Sequence, residues 1–253
     1  MKSTKIRNVI LGKGRPKIAV PVTGKTEQKI LEEAREIVAK KPDLIEWRID
    51  FFQDVTDFTT LADIAAKIRN IIKDTALLVT FRTYQEGGNL NLPDEEYFKI
   101  IRTLIENRLG DAVDIERYHD EKNLAPLLTL SKTKQVIIIM SNHDFYKTPS
   151  KHTIVERLQS MEKFGADVAK IAVMPIDKKD VLELLSATQE ASESIDIPII
   201  TMSMGDLGKV SRICGETFGS SLTFASVTAA SAPGQIELTH LRQELYDLEI
   251  KDI

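Results

Sequence analysis

The chain has 253 residues, enough for one large domain or two small ones, and a length that buries roughly three quarters of its unfolded surface. Its 34 Lys and Arg nearly balance 38 Asp and Glu, and no basic block marks a nucleic-acid or membrane surface. The single cysteine, Cys214, excludes an internal disulfide and a cysteine-built metal site, and no apolar run reaches the ~18 residues of a membrane span. No secretory signal pattern opens the sequence, so a cytoplasmic protein is expected.

Residues 1–14, with "STKIRNVILGKG", read as two short strands around a turn. After them, short apolar runs alternate with longer amphipathic ones. Strands are predicted at 17–22, 43–50, 76–82, 112–117, 135–143, 166–173, 197–204 and 222–227. Between them lie helical patterns such as "TEQKILEEAREIVAKK", which puts Ile30, Ala34 and Ile37 on one face. The last helix repeats the pattern with Leu241, Leu245 and Leu248. Eight strand–helix units predict an α/β fold, a (β/α)8 barrel of the TIM type, with the N-terminal hairpin covering its bottom. A doubly wound open sheet is the alternative, but no Gly-rich dinucleotide fingerprint follows the first strand of the repeat. No linker divides the sequence, so residues 1–253 are expected to form one domain.

Catalytic groups of such a barrel come from the C-terminal ends of its strands. There the sequence places Glu46 and Arg48, which alternation puts on one face while Trp47 faces the helices. It also places Arg82 at a strand end, Glu86 in "TYQEGG", His143 ending the run "SNH", and Lys170 in the apolar strand "ADVAKIAVMP". Arg212 follows the seventh strand, and Ser231 and Gln235 follow the eighth in "SAPGQ". Each has a plainer reading. Glu46 and Arg48 suit a rim ion pair, the arginines suit the surface, His143 suits a structural role, and "SAPGQ" suits an ordinary turn. Lys170 resists that treatment, because a buried ammonium without a partner costs several kcal/mol. Its plain reading is an interior pair with Glu46 or Glu116.

Together these groups describe imine chemistry. Burial lowers a lysine's pKa and frees an amine that attacks a ketone. The protonated imine acidifies the adjacent carbon, and a histidine oriented by a carboxylate such as Glu86 is the base for that proton. Arginines suit an anionic, carboxylate-bearing substrate. The residues thus point to Schiff-base chemistry on a polyhydroxylated keto acid. A class I aldolase and a non-catalytic metabolite-binding barrel are the rival readings, and the sequence lacks a clear Gly-rich phosphate loop of the aldolase kind.

The ordered set "EWRID", "FRT", "EGG", "SNHDF", "VAKIAVMP", "MGDLGKVSR" and "SAPGQ" closely resembles the type I 3-dehydroquinate dehydratases across nearly the whole chain. The resemblance implies a cofactor-free and metal-free barrel, usually a homodimer, that dehydrates 3-dehydroquinate in the shikimate pathway. It implies that Lys170 forms the imine, that His143 is the acid–base and that Glu86 orients it. Glu46, Arg48 and Arg82 would contact ring hydroxyls, and Arg212, Ser231 and Gln235 would surround the carboxylate. Met202 and Met204 would pack near the imine, and "ASVTAASAPGQIEL" would close over substrate. Pro21 departs from the serine of many relatives. Cys214 reads as a packing residue, and His119, His152 and His240 have no evident partners.

Overall fold

The computed structural model describes residues 3–227 and 231–251. A hairpin, β1 (Thr4–Ile6) and β2 (Val9–Leu11), precedes the repeat. The repeat runs β3 (Lys17–Val22), α1 (Glu27–Ala39), β4 (Leu44–Arg48), α2 (Phe58–Ile72), β5 (Ala76–Thr80), α3 (Asp94–Glu106) and β6 (Ala112–Glu116). It continues with α4 (Glu121–Lys134), β7 (Ile137–Asp144), α5 (Lys151–Phe164), β8 (Val168–Val173), α6 (Lys178–Ser194) and β9 (Ile199–Ser203). Two short helices, α7 (Val210–Ile213) and α8 (Gly215–Phe218), lead to β10 (Leu222–Ser226), β11 (Ile236–Glu237) and α9 (Leu238–Asp247).

Strands β3 to β9 pair in parallel in chain order, and β10 pairs with β3. The ring closes just ahead of β10, where Ile199 bridges Ser220 and the Ser221 amide donates to the Ile199 carbonyl at 2.8 Å. This is the predicted (β/α)8 barrel. The predicted strands stand at their places, most with trimmed ends; β3 keeps its predicted bounds and β7 runs one residue further, to Asp144. Arg82 lies two residues beyond β5, and His143 is the penultimate residue of β7. The two-residue β11, which pairs with β10 at Ala225 and Ser226, has too little pattern to be visible in sequence.

The barrel separates two cores. Outward strand residues, including the fully buried Trp47, meet Ile30, Ala34 and Ile37 of α1 and the matching faces of the other helices. Leu241 and Leu245 join them, whereas Leu248 lies past the end of α9 and is exposed. Inside, small and branched residues (Ala19, Leu44, Ala76, Leu78, Ala112, Ile139, Val168) fill the lower layer. Ile6, Val9 and Leu11 of the hairpin complete that layer from below, each large side chain contributing about 1.5–3 kcal/mol by leaving water. Thr4 also donates to the Asp167 carbonyl at the entry to β8. The bottom is thus sealed, and the interior opens at the C-terminal ends of the strands. Side-chain caps start most of the long helices, as where Asp57 accepts from the amides of Thr59 and Thr60, while α3 starts behind Pro93 without one.

Candidate active site

All nine residues singled out in the sequence line one cavity at the open end: Glu46, Arg48, Arg82, Glu86, His143, Lys170, Arg212, Ser231 and Gln235. Met202, Met204, Phe145 and Phe224 supply its apolar wall. Strand alternation brings in Glu46, Arg48, His143 and Lys170, because every second residue of a barrel strand points inward. Arg82 and Glu86 come from the segment after β5, Arg212 from α7, and Ser231 and Gln235 from the segment before β11. Pro21 is buried opposite Glu46 in the β3–β4 register and does not line the cavity.

Lys170 is 4% exposed, and its Nζ donates to Asp114 Oδ2 at 3.1 Å while lying 4.9 Å from the Phe224 ring centre. Its carboxylate partner is therefore Asp114, and neither Glu46 nor Glu116. Asp114 Oδ1 accepts from Arg82 Nη2 at 2.7 Å and from Ser141 Oγ at 2.6 Å. Burial alone would raise the Asp114 carboxyl; Arg82 and Lys170 reverse that and hold it below its ordinary range. Arg82 Nη1 reaches Glu116 Oε1 at 2.8 Å, Ser141 Oγ at 2.9 Å and Glu86 Oε2 at 3.4 Å. Arg82 is thus the hub of a buried carboxylate network as well as a cavity wall. Arg48 likewise forms a two-pronged pair with Asp50, at 2.8 and 2.9 Å, and Glu46 accepts from Thr80 Oγ1 at 2.8 Å.

His143 and Glu86 form a pair held from several sides. Glu86 Oε2 meets His143 Nδ1 at 2.8 Å and accepts the His143 backbone amide at 2.9 Å, while Oε1 accepts from Asn142 Nδ2 at 2.9 Å. The short turn carrying Glu86 ends at Gly87, whose φ of +84° and contact with the Phe145 ring leave no room for a side chain. Burial pushes Glu86 up to about 8, and Glu116 adds to the push while Arg82 and Asn142 oppose it. Burial, then the positive charges of Arg82, Lys170 and Arg48, hold His143 well below the ordinary imidazole range. With Nδ1 engaged by Glu86, Nε2 is the nitrogen left for chemistry.

On the opposite side stands Arg212, 1% exposed and with no carboxylate within ion-pair distance among the described residues. Nη2 donates to the Pro233 carbonyl at 2.8 Å, and buried Nε has no partner. Burial lowers this guanidinium to about 10. Ser231 and Gln235 bond each other: the Ser231 amide donates to Gln235 Oε1 at 2.9 Å, and Gln235 Nε2 donates to Ser231 Oγ at 3.1 Å. Gly234, at φ +78°, packs on Gly205, where a Cβ would sit 2.3 Å from the carbonyl oxygen. Residues 228–230 of the expected closing segment lie outside the described residues.

A scan of family models matches type I 3-dehydroquinase over residues 18–252. The chain belongs to the type I 3-dehydroquinase family. It is 54% identical over 246 residues to 3-dehydroquinate dehydratase of Lactiplantibacillus plantarum, covering 97% of this chain and 98% of that one. Its fold matches the type I 3-dehydroquinate dehydratase of Clostridium difficile, solved with covalently modified comenic acid, at TM-score 0.95 and 42% identity over 98% of each chain. The enzyme from Geobacillus kaustophilus matches at TM-score 0.95 and 40% identity, over 98% of this chain and 96% of that one. As a type I 3-dehydroquinase the chain is a carbon–oxygen lyase, and the aldolase and pure binding readings give way to that class.

For this type I 3-dehydroquinase, sequence reasoning missed Asp114 and Asp50 and weighed Glu116 only as a plain ion partner. The signal was present: Asp114 and Glu116 alternate in "AVDIER" as Glu46 and Arg48 do in "EWR", and Asp50 extends the latter series. His119 was also misjudged. It meets Glu116 Oε2 at 3.3 Å and Asp94 Oδ1 at 3.4 Å and stacks on Tyr97. His152 pairs with Glu156 on the exposed face of α5. Cys214 is half-buried at the junction of α7 and α8, as a packing residue would be. No metal-binding cluster occurs among the described residues, and no described helix is long and apolar enough to cross a membrane.

Proposed function

We propose that the enzyme dehydrates 3-dehydroquinate to 3-dehydroshikimate through an imine on Lys170, as a step of the shikimate pathway, without metal or cofactor. The observation that carries this reading is one cavity holding three complementary features. They are a carboxylate-paired lysine, a histidine bonded to a buried carboxyl, and an arginine without an acid partner among the described residues. Arg212 suits the substrate carboxylate, with Ser231 and Gln235 exchanging their mutual bonds for bonds to ligand. Glu46 and the Arg48–Asp50 pair suit ring hydroxyls, and Arg82 adds its charge from behind.

Lys170, having given its proton to the surrounding carboxylate network or to solvent, adds its nitrogen to the ring ketone. The carbinolamine loses water to leave a protonated imine, for which Asp114 is the counter-ion. His143 Nε2 takes a proton from the neighbouring carbon, and the electron pair is held as an enamine. That pair then expels the hydroxyl one carbon further on, which takes the same proton from His143 and leaves as water on the same face. A second water hydrolyses the imine and returns Lys170. Glu86 orients His143 and steadies it while protonated. We further propose that the chain works as a cytoplasmic homodimer, as the family resemblance implies.

The direct test is absorbance. Dehydration creates a conjugated enone acid, so purified enzyme with 3-dehydroquinate should give a growing ultraviolet band. No band over hours at high enzyme concentration would overturn the reading.

A further inference from the structure

His143 and Glu86 face two spaces. One is the substrate cavity; the other is a cleft behind it, shared with Thr83, Glu116, Asp94 and His119. We propose that His119 is a positioning residue for the His143–Glu86 pair, acting through Glu116 and Arg82, so that turnover answers to a proton held outside the substrate cavity. This inference rests on the dehydratase reading above.

The geometry of His119 selects its charged form. Nε2 faces Glu116 Oε2 at 3.3 Å and Nδ1 faces Asp94 Oδ1 at 3.4 Å. Nε2 is hydrogen-bonded to Glu116 and Nδ1 lies at ion-pair distance from Asp94; a neutral ring has one N–H and would turn a nitrogen lone pair to one of these carboxylates, whereas the imidazolium presents an N–H to each. Stacking on Tyr97, at 4.2 Å and 17° between planes, with Phe98 at its edge, fixes the ring in that attitude. The titratable groups facing His119 are therefore Glu116 from β6 and Asp94 and Tyr97 from α3, with Tyr118 lining the same cleft. Burial disfavours the charge, and the two carboxylates more than offset it.

Glu116 carries this charge inward. A single nitrogen, Arg82 Nη1, has two hydrogens and three acceptors around it: Glu116 Oε1, Ser141 Oγ and, at the longest distance, Glu86 Oε2. Glu116 and Glu86 thus compete for one donor. A cationic His119 neutralises Glu116 from the far side and spares Glu86 part of its repulsion. Without that cation Glu86 holds its proton to higher pH and His143 accepts one more readily. Both effects move the acid side of the activity profile upward.

The variants are His119→Gln, which keeps a donor but no charge, and His119→Lys, which restores the charge. In folded His119→Gln the acid limb of kcat should rise by about half to one pH unit, with KM changed less than about twofold because His119 lies outside the substrate cavity. His119→Lys should bring the limb back towards the parent. A limb that stays put in folded His119→Gln, or that His119→Lys fails to restore, overturns the proposal. Should either variant unfold, titration of the parent's ring nitrogens by nuclear magnetic resonance decides instead. His143 should show an inflection at the His119 midpoint, and its absence overturns the proposal. A parent that binds but never dehydrates 3-dehydroquinate would sink the dehydratase reading alone, since the resonance titration needs no turnover.

Discussion

Lys170 Nζ lies 3.1 Å from Asp114 Oδ2 and has no second carboxylate within ion-pair distance among the described residues. The imine formed from this nitrogen would keep its positive charge beside the same oxygen. Borohydride added during turnover should therefore fix an adduct on Lys170, seen by peptide mapping, and Lys170→Ala should give neither adduct nor activity. Asp114→Asn should slow adduct formation and cost about 3–5 kcal/mol of stability, the usual penalty for leaving buried partners uncompensated. An Asp114→Asn enzyme that traps substrate at the parental rate would remove the counter-ion role.

His143→Ala separates proton transfer from imine formation. Dehydration should fall by about 10²–10⁴, while Lys170 still traps ligand slowly. Glu86→Gln should lie between the parent and this variant, because it disturbs orientation without deleting the base. Stopped-flow absorbance beside mass-detected trapping reads both quantities.

Glu86 also makes a prediction about stability. Its folded value, pushed up to about 8 by burial and Glu116, exceeds its ordinary value of 4.5. A raised carboxyl stabilises in its protonated form: the contribution is full below the unfolded value and is lost as pH rises through about 8. Melting temperature should therefore fall from about pH 4.5 to about pH 8 and level off above that, by the equivalent of a few kcal/mol at most, and fall less in Glu86→Gln. Equal slopes would show that Glu86 is ionised throughout.

Arg212 should trade stability for affinity. Arg212→Met removes a buried charge without an acid partner, so the melting temperature should rise, while KM should increase about 10- to 100-fold as a charge-assisted contact is lost. On the reading that the segment carrying Gln235 closes over substrate and would align the ring with His143, Gln235→Ala should instead lower kcat. A Gln235→Ala enzyme altered in KM alone would reduce the loop to a passive edge.

Prolonged chelation should leave activity unchanged. Loss of activity, with recovery on adding back one metal, would overturn the metal-free reading.

The barrel was legible because strand and helix periods alternate eight times, and the nine cavity residues were legible because unusual side chains sit at strand ends. What sequence could not give was pairing. Lys170 has several inward carboxylates within the barrel; the strand ladders run from Glu116 through Ser141 to Lys170, and only the side-chain geometry shows that Asp114, two residues before Glu116, is the one that meets it. Arg82 reads in sequence as a ligand for hydroxyls because two of its three carboxylate partners, Asp114 and Glu116, arrive from β6, 32 and 34 positions further on. His119 was dismissed for the same reason. Asp94, one of its partners, stands on a helix 25 positions earlier, and nothing in spacing announces that contact.

The distribution of charge around the cavity is lopsided. Glu46, Asp50, Glu86, Asp114 and Glu116 crowd one wall with Arg48, Arg82 and Lys170 among them, whereas Arg212 stands alone on the other. The open end of the barrel is therefore an electric dipole with its positive pole at the loop. On the proposed reading, a small monoanion approaching the mouth would feel a torque before it touched anything, one that would turn its carboxylate towards Arg212 and its uncharged ring towards Lys170. Productive encounters are favoured over inverted ones, and the advantage should fade with added salt as the field is screened.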